Sequence, residues 1–119
     1  MISVVIPALN AQATLPGALS ALIPAALAGL IREVVVVDGG STDQTRLLAD
    51  GAGAEVIAAN PSRGGQLSAG AARAKHPWLL FLHADTVLDP GWEQEAGHFM
   101  EAVDKGKAEL AAAAFRFAL

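Results

Sequence analysis

The sequence predicts an α/β fold of one domain on a mostly parallel sheet, and three observations carry that reading. Short apolar runs alternate along the chain with segments of helical composition, a pattern that builds strand–helix–strand crossovers. Residues 34–37 are four consecutive valines, β-branched and without polar interruption, as suits a strand covered on both faces. That strand then stops at Asp38. Gly39 and Gly40 allow a tight turn, and Ser41 can cap a helix starting near Thr42 with Asp43 in its first turn. A carboxylate is therefore expected at the rim of the sheet, where open α/β folds bind ligands.

The elements follow in order. Residues 2–6 form an apolar run ended by Pro7, read as a buried first strand. Asn10 to Thr14 offer capping residues and Pro16 suits a first helical turn, so a helix is expected over 15–30, kinked or split at Pro24. After the valine strand come a helix over 42–52, stopped by Gly51 and Gly53, and a short third strand over 55–58. The stretch NPSRGG reads as a loop, residues 66–75 as a small-residue helix, and Pro77 as the break before a fourth strand over 78–83. Asp89 and Pro90 open a last helix reaching about Asp104. Residues 108–119 alternate poorly and fit either a strand or a helix, with Phe115, Phe117 and Leu119 at period two favouring the strand. Right-handed crossovers give the strand order 3-2-1-4, with a switch point between strands one and four. A crevice is then expected where Pro7 to Asn10, Asp38 and His83 to Asp85 converge.

Composition narrows the function classes. The chain has 119 residues, 53% hydrophobic and 17% charged, so one large apolar core is expected and a disordered chain is excluded. Eight basic against 12 acidic residues, a net charge of -4 and no basic run leave no nucleic-acid footprint. With no cysteine there is no disulfide, thiolate metal site or cysteine nucleophile, which fits a reducing compartment such as the cytoplasm. The start MISVVIP has neither the basic region nor the cleavage site of a secretory signal. The most apolar stretch, residues 18–31, contains Pro24 and falls short of the roughly 20 residues a membrane span needs, so no transmembrane segment is expected.

Three groups of residues can carry chemistry. Asp38 can accept hydrogen bonds from a ribose or a base, or it can bind the backbone of its own turn. The first strand is followed by PALNAQAT rather than a Gly-x-Gly-x-x-Gly turn, and a GxxxxGK[ST] loop is absent, so the two commonest phosphate cradles are ruled down. In FLHADT, His83 and Asp85 are two apart in an expected extended segment, which puts them on one face with Ala84 on the other. A single carboxylate with substrate phosphates suffices for magnesium or manganese. The plain alternative makes His83 a rim histidine and Asp85 a turn cap. Arg63, expected in a loop just before a helix start, can meet a diphosphate together with the helix amides, or simply stand in solvent. His76 and His98 receive no role, and the lack of a Gly-x-Ser-x-Gly elbow argues against a serine hydrolase.

Taken together, SVVIPALN, VVVVDGGSTDQT, RGGQLSAGAARA and WLLFLHADT resemble the nucleotide-binding, N-terminal half of the family 2 glycosyltransferases, which have the Rossmann-like GT-A fold. The likeness is greatest to a bacterial subgroup in which R-x-x-Q-x-x-x-G-A precedes H-A-D-T. The resemblance implies that Pro7 and Leu9 line the base pocket, that Asp38 holds the base, that Arg63 approaches the diphosphate and that Asp85 binds the metal. It also counts Asn10, Gln66, His83 and Ala84 among the nucleotide-binding positions. It further implies a donor-binding domain for a nucleoside-diphosphate sugar with Mn2+ or Mg2+, serving inverting transfer to an acceptor hydroxyl. A catalytically silent nucleotide-binding or assembly module is the alternative. Two departures stand out: Ala11 replaces a family glutamate, and His83 replaces the first acidic residue of a D-x-D segment. In the family the acceptor site and general base lie beyond that segment, so residues 1–119 are expected to form a domain cut before its acceptor half. No catalytic residue is assigned in this chain. An apolar strand over 108–119, left uncovered, would favour a homo-oligomer.

Overall fold

The computed structural model describes residues 1–104. Its elements are β1 (Ile2–Ala8), α1 (Leu15–Ser20), α2 (Ile23–Leu27), β2 (Ile31–Asp38), α3 (Thr45–Gly51), β3 (Glu55–Ala58), α4 (Arg63–Arg73), β4 (Trp78–Phe81) and α5 (Trp92–Ala102). All the strand pairs are parallel and the order is β3-β2-β1-β4, as expected from the crossover pattern. The strand expected over 108–119, and the self-association argued from it, lie outside the described residues. No helix among the described residues is long and apolar enough to cross a membrane.

The valine run is covered on both faces because its side chains alternate. Val36 joins Val4, Ile6, Leu15, Ala18, Leu22, Trp92 and Met100 in the larger core, on the face carrying α1, α2 and α5. Val35 and Val37 join Val5 on the opposite face, where Leu67 and Ala69 of α4 pack against them. The helix can come this close because of Gly70. A Cβ there would overlap Val5 Cγ1 and lie 3.1 Å from Val37 Cγ2. Phe81 and Leu79 of the edge strand β4 pair with Val5 and Ser3 on this face, yet remain 49% and 39% exposed.

Several boundaries differ from expectation for identifiable reasons. β1 continues through Pro7 to Ala8. Backbone groups alternate in direction along a strand, and Ala8 O turns to β2 to accept from Gly39 N, so Pro7 turns to the β4 side. There pairing has ended, at Val5 with Phe81 and one bond from Leu82 N to Val5 O, and the missing proline N–H costs nothing. The helix expected over 15–30 is split into α1 and α2, with Pro24 in the first turn of the second. β2 starts three residues before the valines, at Ile31, which is buried and pairs with Ile2. α4 begins at Arg63 rather than at Gln66, since Ser62 caps it by accepting from Gly65 N at 3.1 Å.

The end of the sheet remote from the strands' carboxyl termini is closed by a polar knot. Glu33 Oε1 accepts from Ser3 Oγ and from Lys75 N, each at 2.6 Å, and Ser3 Oγ accepts from His76 N at 3.2 Å. Partial burial, the largest single influence, pushes the Glu33 carboxyl up. The Ser3 and Lys75 hydrogen bonds and the positive charges of His76 and Lys75 outweigh it, holding the group below its ordinary 4.5.

Two consequences can be measured. Replacing Gly70 by Ala should cost about 1–3 kcal/mol through overpacking. Gly64→Ala, where a Cβ meets nothing within 4 Å, should instead gain up to about 1 kcal/mol from reduced chain entropy. Urea unfolding with an unchanged slope decides both, and equal effects would show that α4 is not seated by Gly70. The second consequence concerns acid. A carboxyl whose folded value lies below its unfolded one adds stability above the unfolded value, and that contribution is lost as pH falls through the folded one. Glu33→Gln should therefore flatten the decline of stability below about pH 4.5; an acid limb as steep as that of the parent chain would remove Glu33 from that role.

Candidate functional site

A cavity of about 710 Å³ opens at the carboxyl ends of the strands, at the switch point between β1 and β4. Pro7, Ala8, Leu9, Asn10 and Ala11 line it from β1 and the loop that follows, with Thr14 just before α1. From the other side come Pro61, Ser62, Arg63 and Gln66 at the start of α4, and His83, Ala84 and Asp85 after β4. Every site residue expected from the sequence lines this cavity except Asp38. Ala8 falls within the expected Pro7 to Asn10 wall, whereas Ala11, Thr14, Pro61 and Ser62 are additional; for Ser62 the usable signal is a serine directly before a helix start, the position of a helix cap.

The loop after β1 lines the cavity and is backed by the loop after β2, and the two hydrogen-bond each other's backbones. Asn10 N donates to Ser41 Oγ at 2.9 Å, Ala11 N to Thr45 Oγ1 at 2.8 Å and Gln12 N to Asp43 Oδ2 at 3.2 Å. In the return direction Thr42 N donates to Asn10 Oδ1 and Gln44 N to Gln12 Oε1, both at 2.9 Å. These bonds explain why Ser41 does not cap a helix at Thr42, as the sequence predicted. Its hydroxyl serves the neighbouring loop, and α3 starts only at Thr45, without a side-chain cap. Asn10 holds its place with a left-handed backbone, φ 49°. The Asp43 carboxyl is held below its usual range chiefly by the Thr45 hydroxyl; desolvation, the next influence, pushes it up, and the amides of Thr45, Gln12 and Asp43 itself add to the lowering.

Asp38 is not at a rim. It is 1% exposed, and its Oδ2 accepts from Gly40 N at 3.1 Å and Ser41 N at 3.0 Å, so of the two readings of the sequence the one in which Asp38 binds its own turn holds for this oxygen. Arg46 reaches the same oxygen only at 4.0 Å, from solvent. Asp38 Oδ1 is buried and has no partner among the described residues. An orphaned buried acceptor beside a cavity floor is costly unless something else satisfies it.

Arg63 lies in the first turn of α4, not in a free loop. Its Nη1 is 3.0 Å from His83 Nδ1 and 3.2 Å from Nε2. A nitrogen almost equidistant from both ring nitrogens lies over the imidazole rather than on one lone pair, a stacked arrangement natural to guanidinium. His83 thereby holds Arg63 in the cavity lining, and its Nε and Nη2 donors have no partner among the described residues. Residues 83–86 form a turn closed by Thr86 N donating to His83 O at 3.0 Å, rather than the extended segment expected. His83 and Asp85 share the cavity because of that turn, and Ala84 lines it too instead of pointing away. Among the described residues no three His, Cys, Asp or Glu side chains come together to hold a metal. Asp85 is a carboxylate at the cavity edge, which fits a hard cation completed by phosphate and water oxygens.

Known proteins resemble this chain in both sequence and fold. Glucosyl-3-phosphoglycerate synthase of Mycobacterium tuberculosis is 33% identical over 95 residues, covering 72% of this chain and 29% of the relative. The enzyme of that name from Mycolicibacterium smegmatis is 35% identical over 98 residues, covering 75% and 32%. A crystal structure of the Mycobacterium tuberculosis synthase with Mn2+, uridine diphosphate and glucosyl-3-phosphoglycerate superposes with a TM-score of 0.65 at 32% identity, over 73% of this chain and 34% of that one. This chain thus spans about a third of the length of these relatives. The sequence matches Glycosyl transferase family 2 over residues 3–116, and the chain belongs to that family.

Proposed function

We propose that the chain is the donor-binding part of an inverting glycosyltransferase, holding a nucleoside-diphosphate sugar in the cavity at the switch point. The observation that carries this is the convergence there of Arg63, whose guanidinium meets only the His83 ring among the described residues, and the Asp85 carboxylate, across from the loop after β1. Uridine is the base favoured by the relatives crystallised with uridine diphosphate and Mn2+ or Mg2+. In this reading Pro7, Leu9 and Asn10 flank the nucleoside, Asp38 Oδ1 accepts from the base, and Arg63 and the start of α4 meet the diphosphate. Asp85 holds the divalent ion, which when bound neutralises charge on the leaving diphosphate. The acceptor hydroxyl, deprotonated by a carboxylate outside the residues assigned here, attacks the anomeric carbon as the bond to the diphosphate oxygen breaks. Glu93 and Glu95 stand on α5 away from the cavity lining and are not that base. A chain without cysteine suits the reducing cytoplasm, which we take as its location.

Calorimetric titration with uridine diphosphate tests the site. Binding should tighten when Mn2+ is present, and Asp85→Asn should weaken metal-dependent binding by about tenfold or more, since it removes a charged ligand. Binding indifferent to Mn2+ would take Asp85 out of the site. Asp38 separates its two roles by substitution. Asp38→Ala strips two backbone amides of their acceptor and should cost about 1–3 kcal/mol of stability. Asp38→Asn keeps an acceptor for those amides but turns a donor toward the base, so affinity should fall about tenfold with little change in melting. If Asp38→Asn loses stability and leaves affinity intact, the residue is a turn cap alone.

A further inference from the structure

Gln66 lines the cavity, yet its amide nitrogen serves the protein itself. The residue is 6% exposed, on the face of α4 turned to the sheet, and its Nε2 donates to Ala8 O at 3.1 Å and to Val37 O at 2.9 Å. Both partners are carbonyls, which only accept, so the amide nitrogen must face them and both its hydrogens are committed. These carbonyls belong to the last rungs of the β1–β2 ladder, where Pro7 pairs with Val37 and Ala8 with Asp38. Immediately beyond, the two strands part into the hydrogen-bonded loops, of which the one after β1 lines the cavity. The fit is close, since a Cβ on Gly39 would lie 3.2 Å from Gln66 Nε2 and 3.2 Å from Pro61 Cα.

We propose that Gln66 is a positioning residue for the nucleoside end of this cavity, acting through the ends of β1 and β2 and donating nothing to the ligand; this rests on the nucleotide reading given above. By tying Ala8 O to Val37 O it fixes the spacing between the Pro7–Leu9 wall and Asp38, which follows Val37 directly. The groups assigned to the diphosphate have fastenings of their own, although Gln66 shares the first turn of α4 with Arg63. Arg63 is held by His83 and the first turn of α4, and Asp85 by the turn after β4. Loss of the Gln66 amide therefore loosens one end of the site and spares the other.

The test titrates uridine diphosphate with Mn2+, and inorganic pyrophosphate with Mn2+, into the parent chain, Gln66→Met and Ser3→Ala. Gln66→Met should lose about tenfold or more in affinity for uridine diphosphate, the scale of a lost hydrogen-bonded constraint. Its affinity for pyrophosphate should stay within about twofold, as expected for groups that do not share partners. Ser3→Ala breaks the knot at the far end of the sheet, and should lower the melting temperature while leaving both affinities unchanged. If Gln66→Met does not fold, Gln66→Asn, one methylene too short to span the two carbonyls, reports the same contrast. Gln66→Met binding uridine diphosphate like the parent overturns the proposal, as does a parallel loss of both probes. So does an equal loss in Ser3→Ala, which would make the effect one of stability. A parent chain that binds neither probe refutes the nucleotide reading, and the inference falls with it.

Discussion

Where β1 and β2 end, the backbone groups of the following loops lose their ladder partners, and an unpaired buried amide is something a fold cannot leave in place. Side chains of residues 38–45 supply the replacements. Asp38 takes two amides of its own turn, and Ser41, Thr45 and Asp43 take three from the loop after β1. Asn10 and Gln12 answer from the other loop. The two loops are thus a single hydrogen-bonded layer rather than two independent connections, and the part of that layer following β1 lines the cavity. On the α4 side the same ends are held by Gln66, which can reach them only because Gly70 lets the helix lie against Val5 and Val37.

This division of labour explains which features are legible in the sequence. The valine run, the alternation of strands with helices and the strand order depend on periodicity and chain crossings, which sequence displays directly. Glu55–Ala58 is located to the residue. The polar residues are harder, because their partners lie about 30 residues away in the chain. Ser41 before Thr42 looks like a helix cap, and only the proximity of Asn10 reveals that its hydroxyl is taken by another loop. From sequence, Asp38 reads either as an acceptor for a ligand or as a partner of its own turn, and only the folded chain shows that the turn occupies one of its oxygens. An extended strand would bring His83 and Asp85 to one face, but it is a turn that brings them together.

The departures from the family pattern also acquire a physical meaning. With Ala11 in place of an acidic residue, the loop after β1 presents its amide to Thr45 and offers no charge to the cavity. With His83 in place of a carboxylate, Arg63 meets a ring rather than an ion-pair partner, so its charge is not cancelled there. Both changes leave the cavity lining with one acidic side chain, Asp85, and one guanidinium, Arg63. In the proposed reading such a site has little hold on a cation by itself and would gain it from a diphosphate that the arginine helps to retain.

The most direct measurement of this dependence is paramagnetic broadening of backbone amide resonances by Mn2+, recorded with and without uridine diphosphate. With the nucleotide present, broadening should centre on residues 84–86, extend to Arg63 and fade toward Glu33 at the far end of the sheet; without it, the same Mn2+ concentration should leave residues 84–86 nearly unaffected. Equal broadening in both conditions, or broadening centred on another carboxylate such as Asp50, would contradict an account in which one carboxylate and a bound diphosphate together make the metal site.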